Sequence, residues 1–339
     1  MIDNQWCFDS NKEIDLIGIG NAIVDLIVNV DDIYLKRNNL QKGSMTLIGI
    51  DQSDLLLEEC KVLKKVSGGS TANTVVSLAN LGNKVEFIGR VKNDYFGKIF
   101  SNDIKRSGTI FNLNPVSSKA SSAHSIIFIT PDAQRTMCTY LGASIEFDIK
   151  DINKNSIRKS KYLYLEGYLW DSEPAKKAFI EAAKVAKEAK TKIILSLSDS
   201  FCVNRHRESF VNLIKEYVDI LFCNEEELKC LFEEERIHQF RTTINSICPL
   251  NIVTLGNKGS TIYSEDKILK IEPFSFGEVI DTTGAGDIYA GGFIHGLINN
   301  YTLEKCGKLG SICAGQIVTE IGSRTNKNLS KLINSVLIN

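Results

Sequence analysis

Residues 281–293 read DTTGAGDIYAGGF, thirteen residues that hold four glycines, two threonines and two aspartates. Val279-Ile280 reads as the end of a short apolar strand, and Ala290–Ile298 continues as a buried helix. The stretch therefore crosses from a strand to a helix N-terminus. The glycines and Ala285 keep side chains away, so backbone N–H groups can face a ligand, and the helix dipole adds about half a positive charge there. This is the layout of an anion site, yet an acid, Asp287, is lodged in it. One reading makes Asp287 a helix cap. The other has it take a proton from a hydroxyl group as that hydroxyl attacks a phosphoryl group held by the amides of Gly284, Ala285 and Gly286.

Familiar nucleotide motifs do not fit. Gly284–Tyr289 lacks the third glycine of GxGxxG, and so does Gly18–Ile23 (GIGNAI). No GxxxxGK[ST] occurs, so this is not a P-loop protein. A dinucleotide-dependent dehydrogenase is accordingly disfavoured.

The 339 residues suit one large α/β domain with an appendage. Forty basic residues nearly balance 41 acidic ones, which favours neither nucleic acid nor an anionic membrane. Nine cysteines without a CxxC pair point to reduced thiols, and four scattered histidines do not make a metal site. The N-terminus lacks the basic-then-apolar layout of a signal peptide, and no apolar run approaches the roughly 20 residues needed to span a bilayer. The expectation is a cytoplasmic protein, a monomer or homodimer, acting on a small molecule.

Strand-like and helical patterns alternate along most of the chain. Strands are expected at 15–19, 85–89, 162–166, 192–197, 218–223 and 251–255. Helices are expected at 70–81, 97–106, 174–190, 208–216 and 225–234. This spacing predicts a mainly parallel sheet with helices on both faces. Two regions break the alternation. Residues 22–49 carry AIVDLIVNV and SMTLIGI, and residues 109–141 carry TIFNLN, SAHSIIFIT and QRTMCTYL. Each reads as antiparallel strands. The expected division is a core of 1–21, 50–108 and 142–339, with a small β lid built from 22–49 and 109–141.

Three further segments carry chemistry. Gly68-Gly69 in SGGSTANT (67–74) gives a pivot between lid and core, and Asn73 in the first turn of the following helix offers a donor and an acceptor to hydroxyls. Asp25 alternates with Val24 and Leu26, so it either faces solvent or points from a lid strand toward a diol. Asn224 and Glu227 in NEEE stand at i, i+3, as a capped helix start or as a pair holding water around magnesium. Thr254-Leu255-Gly256 and Gly259 in TLGNKG form a strand end and a tight turn.

Taken together, DTTGAGDIYAGGF, SGGSTANT, NEEE and TLGNKG resemble the signatures of the PfkB (ribokinase-like) sugar and nucleoside kinases, in that family's order and over residues 15–325. The resemblance implies an α/β, three-layer α/β/α core with a mainly parallel sheet and a small β-sheet lid. It implies ATP as co-substrate and magnesium held through Glu227. Asp287 is the implied base, and Asp25, Gly68, Gly69 and Asn73 the acceptor-site residues. Asn224, Thr254, Gly256, Gly259 and Gln316 line the ATP site. Arg135, on the turn PDAQR, covers the transferred phosphate, and Asp281 and Thr283, with Gly322-Ser323 nearby, match residues that bind a monovalent cation such as K+ in some relatives.

The N-terminal GIGNAIVDLIVNVDDIYLKRNNL resembles the adenosine-kinase branch, with Asp25 and Asn73 on the ribose and Asp287 at the 5'-hydroxyl. Ile23, Phe128 and Tyr140 stand as unassigned candidates for the walls of a base pocket. A ribokinase- or fructokinase-like sugar kinase is the alternative, and a non-catalytic nucleoside or sugar sensor on the same fold the next.

Overall fold

The computed structural model describes residues 12–112, 119–132, 134–232, 244, 246–265, 267–325 and 327–337. In chain order the strands are β1 (Ile14–Ile19), β2 (Ile23–Asn29), β3 (Met45–Leu47), β4 (Lys64–Gly68), β5 (Val85–Ile88), β6 (Ala123–Ile129) and β7 (Arg135–Tyr140). The later strands are β8 (Ser160–Glu166), β9 (Lys192–Ser196), β10 (Ile220–Asn224), β11 (Leu250–Thr254), β12 (Ser260–Ser264) and β13 (Ile268–Ile271). The helices are α1 (Asp32–Arg37), α2 (Ile50–Glu58), α3 (Ser70–Asn80), α4 (Tyr95–Arg106), α5 (Lys154–Arg158) and α6 (Glu173–Glu188). Beyond them lie α7 (Ser200–Tyr217), α8 (Glu225–Phe232), α9 (Ala285–Ile298), α10 (Leu303–Ile317) and α11 (Leu329–Leu337).

Eight strands form one sheet in the order β13-β12-β11-β10-β9-β8-β1-β5, parallel except where β12 and β13 turn back. Its strands are apolar on both faces because helices cover both. Alternate residues of one strand enter opposite cores, as the two-residue period of a strand requires. Leu16, Tyr162, Tyr164 and Phe222 pack on the side of α3 and α9. Ile17, Leu163, Leu165 and Leu221 pack on the side of α6 and α7. This is the expected three-layer α/β/α core with its mainly parallel sheet. No described helix is long and apolar enough to cross a membrane.

The other five strands form a small sheet in the order β3-β7-β6-β2-β4. Its pairing corrects two expectations. The strands of 22–49 do not pair with each other: β2 lies parallel to β6, and β3 parallel to β7, while α1 intervenes. The antiparallel partner of β2 is β4, from the segment 50–108 expected in the core. The sequence KKVSG (64–68) gave little strand signal because β4 is short and its first three residues are not buried. β6 and β7 do form an antiparallel pair within 109–141, but TIFNLN does not join the small sheet. Ile110 bridges Glu86 of β5 in the core, and residues 113 and 114 lie outside the described residues.

Most other boundaries fall within two residues of expectation, residues 233 and 234 of the helix expected at 225–234 lie outside the described residues, and two differences are larger. The helix expected at 208–216 begins at Ser200, where the Asp199 side chain accepts from Cys202 N, and it bends at His206. Val279 and Ile280 are exposed chain outside any strand, held where Ile280 N and Asp281 N donate to Val318 O.

Helix α9 is apolar on nearly every side because α3 and α10 enclose it. Glycines permit that closeness. A Cβ on Gly292 would come 2.6 Å from Leu309 O and 2.9 Å from Cys313 Sγ, and one on Gly291 would overlap Ser77 Oγ. We predict that Gly292→Val lowers stability by about 1–3 kcal/mol in urea unfolding. Gly286→Ala, where a Cβ meets nothing within 4 Å, changes it by no more than about 0.5 kcal/mol.

Candidate functional site

The site is assembled where the N-termini of α9 and α3 meet. Gly284 caps α9 in a left-handed conformation (φ 75°, ψ 2°), with its α-carbon face against Ser323. Asp287 is the third residue of the helix, so it is not the cap that one sequence reading made it. The first N–H groups of a helix lack intrahelical partners. Ala285 N donates to Thr282 O at 3.2 Å, leaving the amides of Gly286 and Asp287 as the open end of the helix. Across from them, Gly69 caps α3 at φ 96°, where a side chain would strike the Asn21 carbonyl.

This geometry brings the two signatures into contact. Ser70 Oγ donates to Asp287 Oδ1 at 2.6 Å, and Asn73 Nδ2 donates to Asp287 Oδ2 at 3.0 Å. Thr74 Oγ1 donates to the Asp287 carbonyl at 3.1 Å. Desolvation raises the Asp287 carboxyl to about 7, with Glu166 pushing the same way and the Ser70 and Asn73 hydrogen bonds and Arg324 opposing. A carboxylate that titrates near neutrality and keeps hydrogen-bonding company is suited to proton exchange.

Asp287 borders a cavity of about 190 Å³. Ser70, Tyr164, Ser196, Asn224, Glu227 and Thr254 share its lining. Asn224 and Glu227 form a reciprocal cap: Asn224 N donates to Glu227 Oε2 (3.0 Å), Asn224 Nδ2 to Oε1 (2.7 Å), and Glu227 N to Asn224 Oδ1 (2.8 Å). Desolvation pushes Glu227 up to about 7, against the hydrogen bond from the Asn224 amide. Among the described residues no three or more His, Cys, Asp or Glu converge into a metal cage.

A second cavity lies between the small sheet and the segment 321–324. Asp25, Lys64, Arg135 and Arg324 supply its charges, and Ile27, Val66, Ile127 and Ile321 its apolar walls. A side chain at Gly68 would collide with the Asp25 carboxylate, so glycine there lets Asp25 lie against the backbone of β4. Desolvation lifts Asp25 to about 6, with Arg324 and Arg135 opposing.

Arg135 opens β7, beyond the turn where the sequence put it, and reaches the α9 loop. Its Nη1 donates to Asp281 Oδ1 (2.9 Å) and Oδ2 (2.7 Å), and to Thr283 Oγ1. Thr283 N and Gly322 N complete the shell around Asp281 at 2.9 and 2.7 Å. Both carboxylate oxygens are thus met by donors, so a monovalent cation on Asp281 and Thr283 requires Arg135 to withdraw.

Other expected residues stand apart. Gly256 (φ 60°) and Gly259 (φ 83°) shape the turn after β11 but border neither cavity. Gln316 is buried with its amide committed to Thr319 Oγ1 and Glu320 Oε1. Phe128 packs in the core beside Tyr34, and Tyr140 beside His124, so neither they nor Ile23 wall the second cavity.

Sequence reading missed Ser70, Glu166 and Arg324. Ser70 had a usable signal, a hydroxyl directly after a helix-capping glycine. Glu166 accepts from Asn21 N, Asn21 Nδ2 and Thr71 N, a role invisible without the fold. Arg324 donates through Nε to Asn73 Oδ1 at 3.0 Å, and its buried Nη2 has no hydrogen-bond partner among the described residues.

Known proteins resemble this chain over nearly its whole length. The sequence profile of the pfkB family carbohydrate kinases matches residues 19–330. A 5-dehydro-2-deoxygluconokinase of Geobacillus kaustophilus is 26% identical over 325 residues, covering 92% of this chain and 90% of that protein. Among solved structures, an adenosine kinase from Sinorhizobium meliloti superposes with a TM-score of 0.90 at 38% identity. A probable sugar kinase from Rhizobium etli does so with 0.91 at 36%. Each of these two covers 96% of this chain and 99% of its own. The chain belongs to the pfkB family of carbohydrate kinases, phosphotransferases that act on a hydroxyl acceptor.

Proposed function

We propose that this kinase transfers the γ-phosphate of ATP to the 5'-hydroxyl of a nucleoside, with adenosine as the favoured acceptor and Asp287 as the general base. The observation that carries the reading is the second cavity. It measures about 20 Å³ and sets the Asp25 carboxylate and three cations, Lys64, Arg135 and Arg324, beside four aliphatic side chains, Ile27, Val66, Ile127 and Ile321. The small sheet must therefore shift to admit an acceptor whose diol meets Asp25. A bare sugar presents hydroxyls on every side, whereas a nucleoside presents a diol on its ribose and, beyond it, a flat aromatic base whose faces pack against aliphatic side chains. An adenosine kinase at 38% identity is compatible with this choice, as a probable sugar kinase at 36% is with the alternative.

The donor side is read from the first cavity. The ATP phosphates occupy the space between Asn224, Thr254 and the open end of α9, where backbone amides meet charge developing on the transferred group. Magnesium fits this donor set only with phosphate oxygens and water as most of its ligands, Glu227 orienting that water. Asp287 accepts the proton of the acceptor hydroxyl, while Ser70 and Asn73 hold its carboxylate in place. Arg135 brings a positive charge from the small sheet to the rim of the anion site. Closing the sheet over the substrates excludes water.

A sugar acceptor is the second reading, favoured by the names of curated relatives such as the 5-dehydro-2-deoxygluconokinase. A panel of adenosine, other nucleosides, ribose, fructose and 5-dehydro-2-deoxygluconate with ATP and Mg2+ separates the two. Highest kcat/KM on adenosine is expected, and a sugar turned over better overturns the nucleoside assignment.

Three outcomes are expected of variants and pH. Asp287→Asn keeps the fold and ligand binding but lowers kcat by about 10²–10⁴-fold in a coupled ADP assay. Asp25→Ala raises the acceptor KM by about 10–100-fold, the loss of a hydrogen bond to a charged group, and leaves the KM for ATP in place. The third concerns pH. The base must be ionised, so kcat/KM for the acceptor falls as pH drops through the Asp287 range near 7. Glu227 also titrates near 7; the acid limb therefore survives in Glu227→Gln if Asp287 is the group that sets it.

A further inference from the structure

An asparagine amide can sit in either of two orientations, and only one of them donates to a carboxylate. The Asn73 amide is held in that one. Its Nδ2 donates to Asp287 Oδ2, while its Oδ1 accepts from Arg324 Nε at 3.0 Å and from Ser323 Oγ at 3.3 Å. Flipping the amide would set its oxygen against the carboxylate and its NH2 against the guanidinium, two repulsive contacts in place of two attractive ones.

Arg324 is itself anchored on the small sheet. Its Nη1 donates to Ser67 Oγ on β4 and lies 3.7 Å from Asp103 Oδ2 on α4. Ser67 in turn donates to that same Asp103 oxygen through N (3.0 Å) and through Oγ. The Arg324 side chain is only 12% exposed. One guanidinium thus spans β4, α4 and α3.

We propose that Arg324 is a positioning residue for phosphoryl transfer: it locks the Asn73 amide with its NH2 on Asp287, and its anchor on Ser67 ties that lock to the seating of β4. The proposal rests on Asp287 as the base. It adds a route by which the position of the small sheet reaches the carboxylate without touching it.

The charged and titratable groups around Asp287 make the effect readable. Glu166 and Tyr164 face it from β8, Tyr168 from the turn after that strand, and Glu227 from α8. Arg324 is the cation of this set. Its charge and the Asn73 donor both favour the carboxylate form, so removing the guanidinium raises the midpoint of Asp287 on both counts.

The test is a carboxyl-carbon NMR titration of aspartate-labelled protein, with Asp287 assigned by its loss in Asp287→Asn. In Arg324→Gln the Asp287 midpoint is expected to rise by roughly half to one unit. Arg324→Lys, which keeps the charge but not the planar fork, is expected to shift it less, and it serves as well if Arg324→Gln does not fold. In acceptor kinetics the acid limb moves with the midpoint and kcat falls about tenfold, while the KM for ATP holds. An unchanged midpoint and limb overturn the proposal, whether the loss falls on the acceptor KM, as when Nη2 binds the acceptor, or on thermal stability alone. If the wild-type protein phosphorylates no acceptor, the kinase reading fails by itself, and the titration still decides what Arg324 does to Asp287.

Discussion

Two hydrogen bonds, from Ser70 and Asn73 to the carboxylate of Asp287, join helices more than two hundred residues apart in sequence. The rest of the site depends on them. They keep a half-buried acid in one rotamer at the open end of a helix, on the lining of the first cavity. Neutral donors are well chosen for this task. A lysine or arginine in direct contact would hold the carboxyl well below neutrality, whereas Ser70 and Asn73 only temper the desolvation that lifts it to about 7. The acid is therefore compatible with its neighbours: in the proposed reading the amides of α9 face the transferred phosphate and the carboxylate faces the acceptor hydroxyl.

A second buried carboxylate organises the boundary between the two sheets. Glu166 ends β8 and gathers the amides of Asn21 and Thr71 together with the Asn21 side chain. Those residues lie beside two of the passages between core and small sheet, from β1 into β2 and from β4 into α3. Gly20 leaves room for this carboxylate, since a Cβ there would overlap Glu166 and come 2.6 Å from Thr71 Cβ. Desolvation raises Glu166, and its three N–H donors oppose that rise. Two of the crossing points are held by one acid, while β7 of the small sheet is tied to the α9 loop by Arg135 on Asp281.

Much of this was legible in the residues because the signals were local. Glycines at 68, 69, 284 and 286 announced two chain turns with little bulk, with Asn73 and Asp287 beside them, while Asp25 stood out by alternation on a strand and Glu227 by its i, i+3 spacing from Asn224. What escaped depended on distance in space. Arg324 sits in an ordinary-looking IGSRT, and its meaning comes from Asn73 and Ser67, more than 250 residues earlier. β4 escaped because its partner β2 lies 35 residues or more upstream and its own residues alternate weakly. Val279-Ile280 misled because apolar residues on a rim have the same composition as the end of a strand. The aromatic residues Phe128 and Tyr140 fill the small sheet's own packing, and aliphatic side chains line the second cavity instead.

The central claim is that Asp287 faces the acceptor hydroxyl. A crystal structure with adenosine, Mg2+ and a non-hydrolysable ATP analogue tests it directly. The account predicts the 5'-oxygen within about 2.6–3.2 Å of an Asp287 carboxylate oxygen, with the ribose diol on Asp25 and the γ-phosphate group on the amides of α9. An acceptor hydroxyl held by another group, with Asp287 turned away from it, would contradict the account.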